Sequence, residues 1–472
     1  MQNSKLVEVL RTLLPKQLRK LEDLIASPFF NTNQEVLQLF RTLKRYAPGF
    51  SHPDLERRVL FKKAFPRQTY DEKKFSYLIS DIQRLTDKYL AYCRFSNQPL
   101  LEDYYVMQTY IDLGLDKHYK KKMRDARKFQ REFPYRDAAF FYNAFLLEEL
   151  SNTYFDKQRR HAFDESLQNA IDNLDLYYLA QKLKFSCELF NRKKIVAADY
   201  KLRLLDEILL YVKEQDFENA PAVAIYYQIL MTLTDSENED HFKKLKELLK
   251  KHGSHFSLTE ARDMYAYAQN YCIRRINSGQ QEYLDELFQL YKTALDRKII
   301  FDGKYISPWT YKNIVGVALR IGQYDWVEKF IHEYKQFLEP NLRENAFAFN
   351  LANFYFNIGK YDRTLELLRN VEFTDVVYSL DTKAMLLRIY YELKEFEPLW
   401  SLLEAFQVYL RRNKLISDSQ KTMYSNLISL TREAIRIPKG DKEAVRKFKD
   451  KIENTRQVAY RQWLLEKADE LS

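Results

Sequence analysis

Nine glycines and twelve prolines are all the backbone breakers available to 472 residues, and that scarcity limits the chain more than any motif in it. All-β folds turn every ~8–12 residues and draw on Gly, Pro and Asn to do so. Gly-rich nucleotide loops need them too. Between the breakers, apolar residues recur at three-and-four spacing, so the expected fold is all-α. Hydrophobic residues are 46% and charged residues 30% of the chain, enough for both a core and a soluble surface. No window approaches the ~18 apolar residues of a membrane span. The N-terminus lacks an apolar core with a small-residue cleavage site, so no signal peptide is expected. Cys93, Cys187 and Cys272 follow no ligand spacing. They read as three buried free thiols, which points to a cytoplasmic protein.

Helix ends can be placed from capping chemistry. A first helix runs from about Ser4 to Leu13. Pro15 opens a second, with Leu18, Leu21, Leu24 and Ile25 on one face, and Ser27-Pro28 ends it. Thr32 and Glu35 have capping-box spacing, as do Thr69 and Glu72. Phe75, Leu78, Ile79, Ile82, Leu85 and Tyr89 form a helical stripe. Residues 1–97 read as a small, basic bundle of about five helices. Phe29 and Phe30 sit at the corner between its second and third helices, where at least one ring should be buried.

Three later stretches align: NIVGVALRIGQYDWVEKFI, NLANFYFNIGKYDRTLELL and MLLRIYYELKEFEPLWSLL. Tyr324 to Tyr361 is 37 residues and Tyr361 to Phe396 is 35. Each unit is a helix, a tight turn built on Gly-x-Tyr-Asp or its relative, and a second helix. These units resemble tetratricopeptide repeats, best over 345–371 and more loosely over 308–340 and 381–410. Residues 106–126 and 264–291 read as degenerate members. Val327 and Leu399 replace the family's small residue, and the third copy lacks the turn Gly. The expected architecture is a right-handed α-solenoid preceded by the bundle. Its segments are 1–97, degenerate helical pairs over 98–215, repeats over 216–437, and a C-terminal capping helix within 438–472.

The resemblance implies a concave groove lined by the first helix of each pair, and hence a non-catalytic scaffold or adaptor for a protein or peptide. In that register Lys312, Asn313 and Arg320 face the groove from the first copy. Asn350, Asn353 and Asn357 follow from the second, and Arg388 from the third. Asn suits a peptide backbone because it both donates and accepts. The family's carboxylate clamp is not reproduced: Gly316 and Met385 stand where it needs Asn and a basic residue.

Charge is uneven. Residues 1–136 hold 27 Lys and Arg against 16 Asp and Glu, while the remainder hold 49 against 50. One helix, DKHYKKKMRDARKFQREFP, concentrates the excess in Lys117, Lys120, Lys121, Arg124, Arg127, Lys128 and Arg131. Such a stripe fits an anionic partner, so the alternative reading is a nucleic-acid-associated regulator. The only candidate helix–turn–helix of a bacterial DNA-binding type lies over 54–85. Its turn is long, and its second helix carries Asp71, Glu72 and Asp81.

The common catalytic constellations are missing. The chain has no Gly-x-Gly, no Gly-x-Ser-x-Gly and no paired zincin histidines, since Gln336 stands four residues after His332. His252-Gly-Ser-His255, with His241, is the best metal candidate; no Cys lies nearby, and Glu247 is the carboxylate within reach. No enzyme, cofactor or metal is expected.

Overall fold

A computed structural model of the chain describes residues 1–158, 163–193, 200–369 and 376–472. The described residues form 23 α-helices and no strand; an isolated bridge joins Asp302 to Tyr305. None of these helices is long and apolar enough to cross a membrane. The contacts divide the chain into two units, residues 1–185 with 216–223, and 186–215 with 224–472. Residues 1–97 and 98–185 thus share the first unit. Residues 438–472 belong to the second with the repeats.

The first unit opens with α1 (Lys5–Thr12), α2 (Pro15–Ala26), α3 (Gln34–Lys44), α4 (Arg57–Ala64) and α5 (Glu72–Phe95). α3 packs against α2, α4 and α5. Leu10, Leu21, Phe40, Phe61, Phe75 and Ile82 are wholly buried between them. The two expected capping boxes are corrected. Asn33, not Thr32, caps α3, its side chain accepting from the Glu35 N–H at 2.9 Å. Asp71, not Thr69, caps α5, accepting from the Lys73 and Lys74 N–H groups. The two glutamates are used elsewhere. Glu35 pairs with Lys74 at 2.6 Å and Glu72 with Arg57 at 3.0 Å. At the corner, Phe30 packs on the bundle core while Phe29 is 88% exposed. The chain from Phe65 to Asp71 separates α4 from α5, the long turn expected there.

α6 (Pro99–Asp112), α7 (Asp116–Glu132) and α8 (Ala138–Lys157) form a mutually packed trio. Met107, Tyr119, Met123, Leu147 and Leu150 are its core, and Tyr119 stacks on Tyr154 at 4.1 Å. α9 (Glu165–Lys193) follows and runs through the division between the units. Next come α10 (Leu205–Glu214), α11 (Pro221–Thr234) and α12 (Glu239–His252). Of the cysteines, Cys187 and Cys272 are buried and Cys93 is only partly so; all three are free thiols.

The repeat region holds α13 (Leu258–Asn277), α14 (Tyr283–Asp296), α15 (Pro308–Arg320), α16 (Tyr324–Tyr334), α17 (Arg343–Asn357), α18 (Tyr361–Arg369), α19 (Val376–Glu392) and α20 (Phe396–Arg412). Tyr324, Tyr361 and Phe396, aligned by sequence, each begin a second helix. The turns share one construction. Gly322 (φ 72°), Gly359 (φ 75°) and Lys394 (φ 58°) are left-handed. The N–H of the next residue returns to a carbonyl five positions back: Gln323 to Ala318, Lys360 to Tyr355 and Glu395 to Tyr390, each at 2.9 Å. The degenerate pairs use the same closure, Gln280 to Arg275 at 3.1 Å beside Gly279 and Leu115 to Tyr110 at 2.8 Å beside Gly114. A Cβ on Gly359 would meet nothing within 4 Å, so backbone conformation, not space, favours glycine there.

Each of these helices packs on the next, and α15 also packs on α17 and α17 on α19. Where α17 and α18 cross, Thr364 is fully buried and donates its hydroxyl to the Ala352 carbonyl at 3.3 Å. Val327 and Leu399 are wholly buried at the equivalent place. The second unit is thus an array of helices packed in neighbouring pairs, as a helical repeat requires. α21 (Asp418–Ala434), α22 (Lys442–Asn454) and α23 (Arg461–Leu471) complete it. α23 packs on α21 and α22, and Phe448, Ile452, Leu464 and Ala468 join Leu403, Phe406 and Leu427 in one core.

Candidate partner-binding face

The first helices of the three clearest repeats, α15, α17 and α19, lie side by side, and several of their polar residues are committed within the chain. Lys312 on α15 pairs with Asp381 on α19. Its ammonium also stands over the rings of Trp309, Phe349 and Tyr378, at 5.5, 5.5 and 5.2 Å. The other Asp381 oxygen accepts from the Tyr424 hydroxyl at 2.9 Å and the Tyr460 hydroxyl at 3.4 Å. Burial, with the Asp381 charge beside them, pushes both phenols well above their ordinary range.

Arg388 lies one helical face-repeat beyond Asp381. Its guanidinium is 4.0 Å from the Tyr460 ring and 4.4 Å from the Phe356 ring. Burial draws its pKa below the usual guanidinium range, against the favourable influence of Tyr460 and Asp381. Its buried Nε has no hydrogen-bond partner. Glu392, one turn further, accepts from the Trp463 indole at 2.8 Å and the Lys467 ammonium at 2.9 Å. The Trp463 and Tyr391 rings meet edge-on at 5.3 Å. Burial opposes the Lys467 charge, but its bonds to Glu470 and Glu392 outweigh burial and raise its pKa.

The chain's own C-terminal segment therefore covers this part of α19. Arg388, expected to face a ligand, is stacked against Tyr460 instead. Lys312 is neutralised by Asp381. Asn350 is wholly buried, its amide donating to the Ala346 carbonyl at 2.7 Å, and its Oδ1 has no partner. It presents no surface to a ligand. Asn313, Arg320 and Asn357 are exposed and Asn353 is half-buried. Asn357 donates to the carbonyl and the side-chain oxygen of Asn353, at 2.7 and 3.1 Å. Arg320 donates to Gln281 at 2.7 Å. The sequence reading missed Asp381, Glu392, Tyr424, Tyr460, Trp463 and Lys467. The spacing Asp381, Arg388, Glu392 does place all three on one face of α19 and was the available signal.

In the first unit, the basic residues of α7 point outward while Tyr119, Met123, Ala126 and Gln130 are buried. Arg127 pairs with Glu148 at 2.8 Å, and Arg124 and Lys128 have loose partners in Asp125 and Glu132 at 3.6 and 3.9 Å. Lys117, Lys120, Lys121 and Arg131 make no ion pair among the described residues. A cleft of about 760 Å³ opens beside α7, lined by Arg127, Arg131, Glu148, Ser151 and residues at the start of α9. Burial raises the Glu148 carboxyl, although Arg127 pulls it down.

Among the described residues no three metal-ligating side chains gather. His252 and His255 approach through their Nδ1 atoms at 3.4 Å, while His241 turns instead to Gln228 at 2.9 Å. Comparison with protein-family models, with curated proteins and with solved structures finds no match for this chain.

Proposed function

We propose that the protein is a non-catalytic scaffold of the cytoplasm, whose right-handed, tetratricopeptide-like array holds another protein or an extended peptide. The observation that carries this reading is the row of polar side chains left at the surface of α15 and α17. Asn313, Arg320 and Asn357 are exposed and Asn353 is half-buried, on helices whose backbones are fixed by packing on both sides. A preformed row of amide donors and acceptors binds a peptide main chain with little ordering cost. No cofactor or metal enters this reading. Capture of partners from native lysate tests it. Arg320→Glu with Asn353→Ala and Asn357→Ala should release the proteins that the unaltered chain retains. An unchanged set of partners would overturn it.

A second reading has one observation in its favour: Lys117, Lys120, Lys121 and Arg131 on α7 are exposed and make no ion pair among the described residues. Contact with nucleic acid through this helix predicts retention on RNA that collapses between low and moderate salt.

A further inference from the structure

Gly316 has no reason within the chain to be glycine. The other eight glycines lie in turns or at a helix end. Gly316 stands inside α15 and is not left-handed. Apart from proline, glycine is the poorest residue for a helix interior. A Cβ built on Gly316 would meet nothing within 4 Å, so no neighbour excludes a side chain. Neither backbone conformation nor packing asks for a bare Cα there. The remaining use of glycine is to let another backbone come close.

The gap falls within the polar row of α15. Asn313, Gly316 and Arg320 follow a 3-4 spacing and share one face of the helix. Asn313 and Arg320 are exposed and Gly316 is half-buried between them, so the surface dips at the centre of the row. Charge narrows what can lie in the dip. Arg320 donates to the neutral amide of Gln281 at 2.7 Å and makes no ion pair among the described residues. Burial draws its pKa below the usual guanidinium range, and no carboxylate counters the shift. Lys312, the other cation nearby on α15, is already matched by Asp381. The unmet charge of the row is therefore positive, and a carboxylate meets a guanidinium best. Gly316 and Arg320 are about 6 Å apart along the helix axis. Alternate residues of an extended chain, which point the same way, are about 7 Å apart.

We propose that Gly316 seats the main chain of an extended peptide, and that this peptide carries an Asp or Glu about two residues further on, held by Arg320. The inference rests on the peptide-holding reading above and names its class of partner, an extended acidic segment. Gly316 then decides which partners fit, because any side chain there lifts the peptide away from the helix.

Selection from a random-peptide phage library on the full chain tests the proposal. The selected peptides should be enriched in Asp and Glu. Selection on the Arg320→Glu chain should turn to Lys and Arg instead, because like charges then face each other. Gly316→Leu should weaken binding of the first set about tenfold or more. Gly316→Ala should melt at a higher temperature, since alanine favours the helix and meets no neighbour, yet bind those peptides more weakly. A glycine without a role in binding would give the rise in melting temperature alone. Peptides without acidic residues would overturn the proposal, as would acidic peptides held equally by the Gly316→Leu chain. If such peptides still need Asn353 and Asn357, the groove reading survives that failure. A library that yields no binder overturns both.

Discussion

Lys312 and Asp381 meet although 69 residues separate them, and their ion pair ties the first helix of one repeat to the first helix of the repeat after next. Each side chain is 17% exposed, so the pair is largely withdrawn from water. Removing one partner strands the other charge beside aromatic rings. Asp381→Asn should cost about 2–3 kcal/mol in urea unfolding. Lys312→Met combined with Asp381→Asn should cost less than the sum of the single changes. Additive costs would show that the two residues are not coupled.

The shared turn makes a prediction of opposite sign at two equivalent positions. Lys394 holds the left-handed conformation that Gly322 and Gly359 hold in the other copies, and a side chain there costs about 1–2 kcal/mol. Lys394→Gly should therefore raise the melting temperature, while Gly359→Ala should lower stability by about 1 kcal/mol. A loss of stability in Lys394→Gly would mean that its side chain contributes more than its backbone strain costs.

Capping gives a sharper contrast. Asn33→Ala should cost about 1 kcal/mol, and Thr32→Ala almost nothing, as read from denaturant midpoints. Equal costs at the two positions would contradict the observed cap.

Tyrosine burial predicts an alkaline limit. Burial, and then the hydrogen bond to Glu149, raises Tyr104 to about 12. Burial also raises Tyr291 to about 12, and it carries Tyr226, Tyr311 and Tyr424 higher. An unfolded tyrosine ionises near ~10. Because the folded values lie above that, their contribution to stability is fully present below pH ~10 and is lost as pH rises towards ~12. Tyrosinate absorbance should show one class titrating near pH ~10 with helix intact. A second class should appear only as the helical signal falls. A single class titrating with full helicity would contradict the burial.

These outcomes divide along the line between local and distant chemistry. The repeat turns were legible because their signals lie within six residues: Gly359 and Tyr361 fix both the turn and the start of α18. The caps of α3 and α5 were misplaced although the cue was local. Asn33 and Asp71 each stood nearer the helix than the chosen Thr, and an Asx side chain takes the cap when it directly precedes the helix. Asn350, Lys312 and Arg388 were legible as one face of their helices, but their fates were not. Asn350 is closed over by packing, Lys312 is matched by a residue 69 positions away, and Arg388 is stacked on Tyr460. Sequence periodicity says which residues share a face and is silent about which segment of the same chain returns to cover it.

That returning segment gives the second unit a natural reporter. Trp463 is one of four tryptophans, and its indole is held by Glu392 and packed on Tyr391. A ligand confined to Asn313, Arg320, Asn353 and Asn357 leaves that indole undisturbed. One long enough to run on along α19 has to compete with the chain's own Tyr460 and Trp463. Fluorescence from a chain that keeps only Trp463 would then measure how far along the array an occupant reaches.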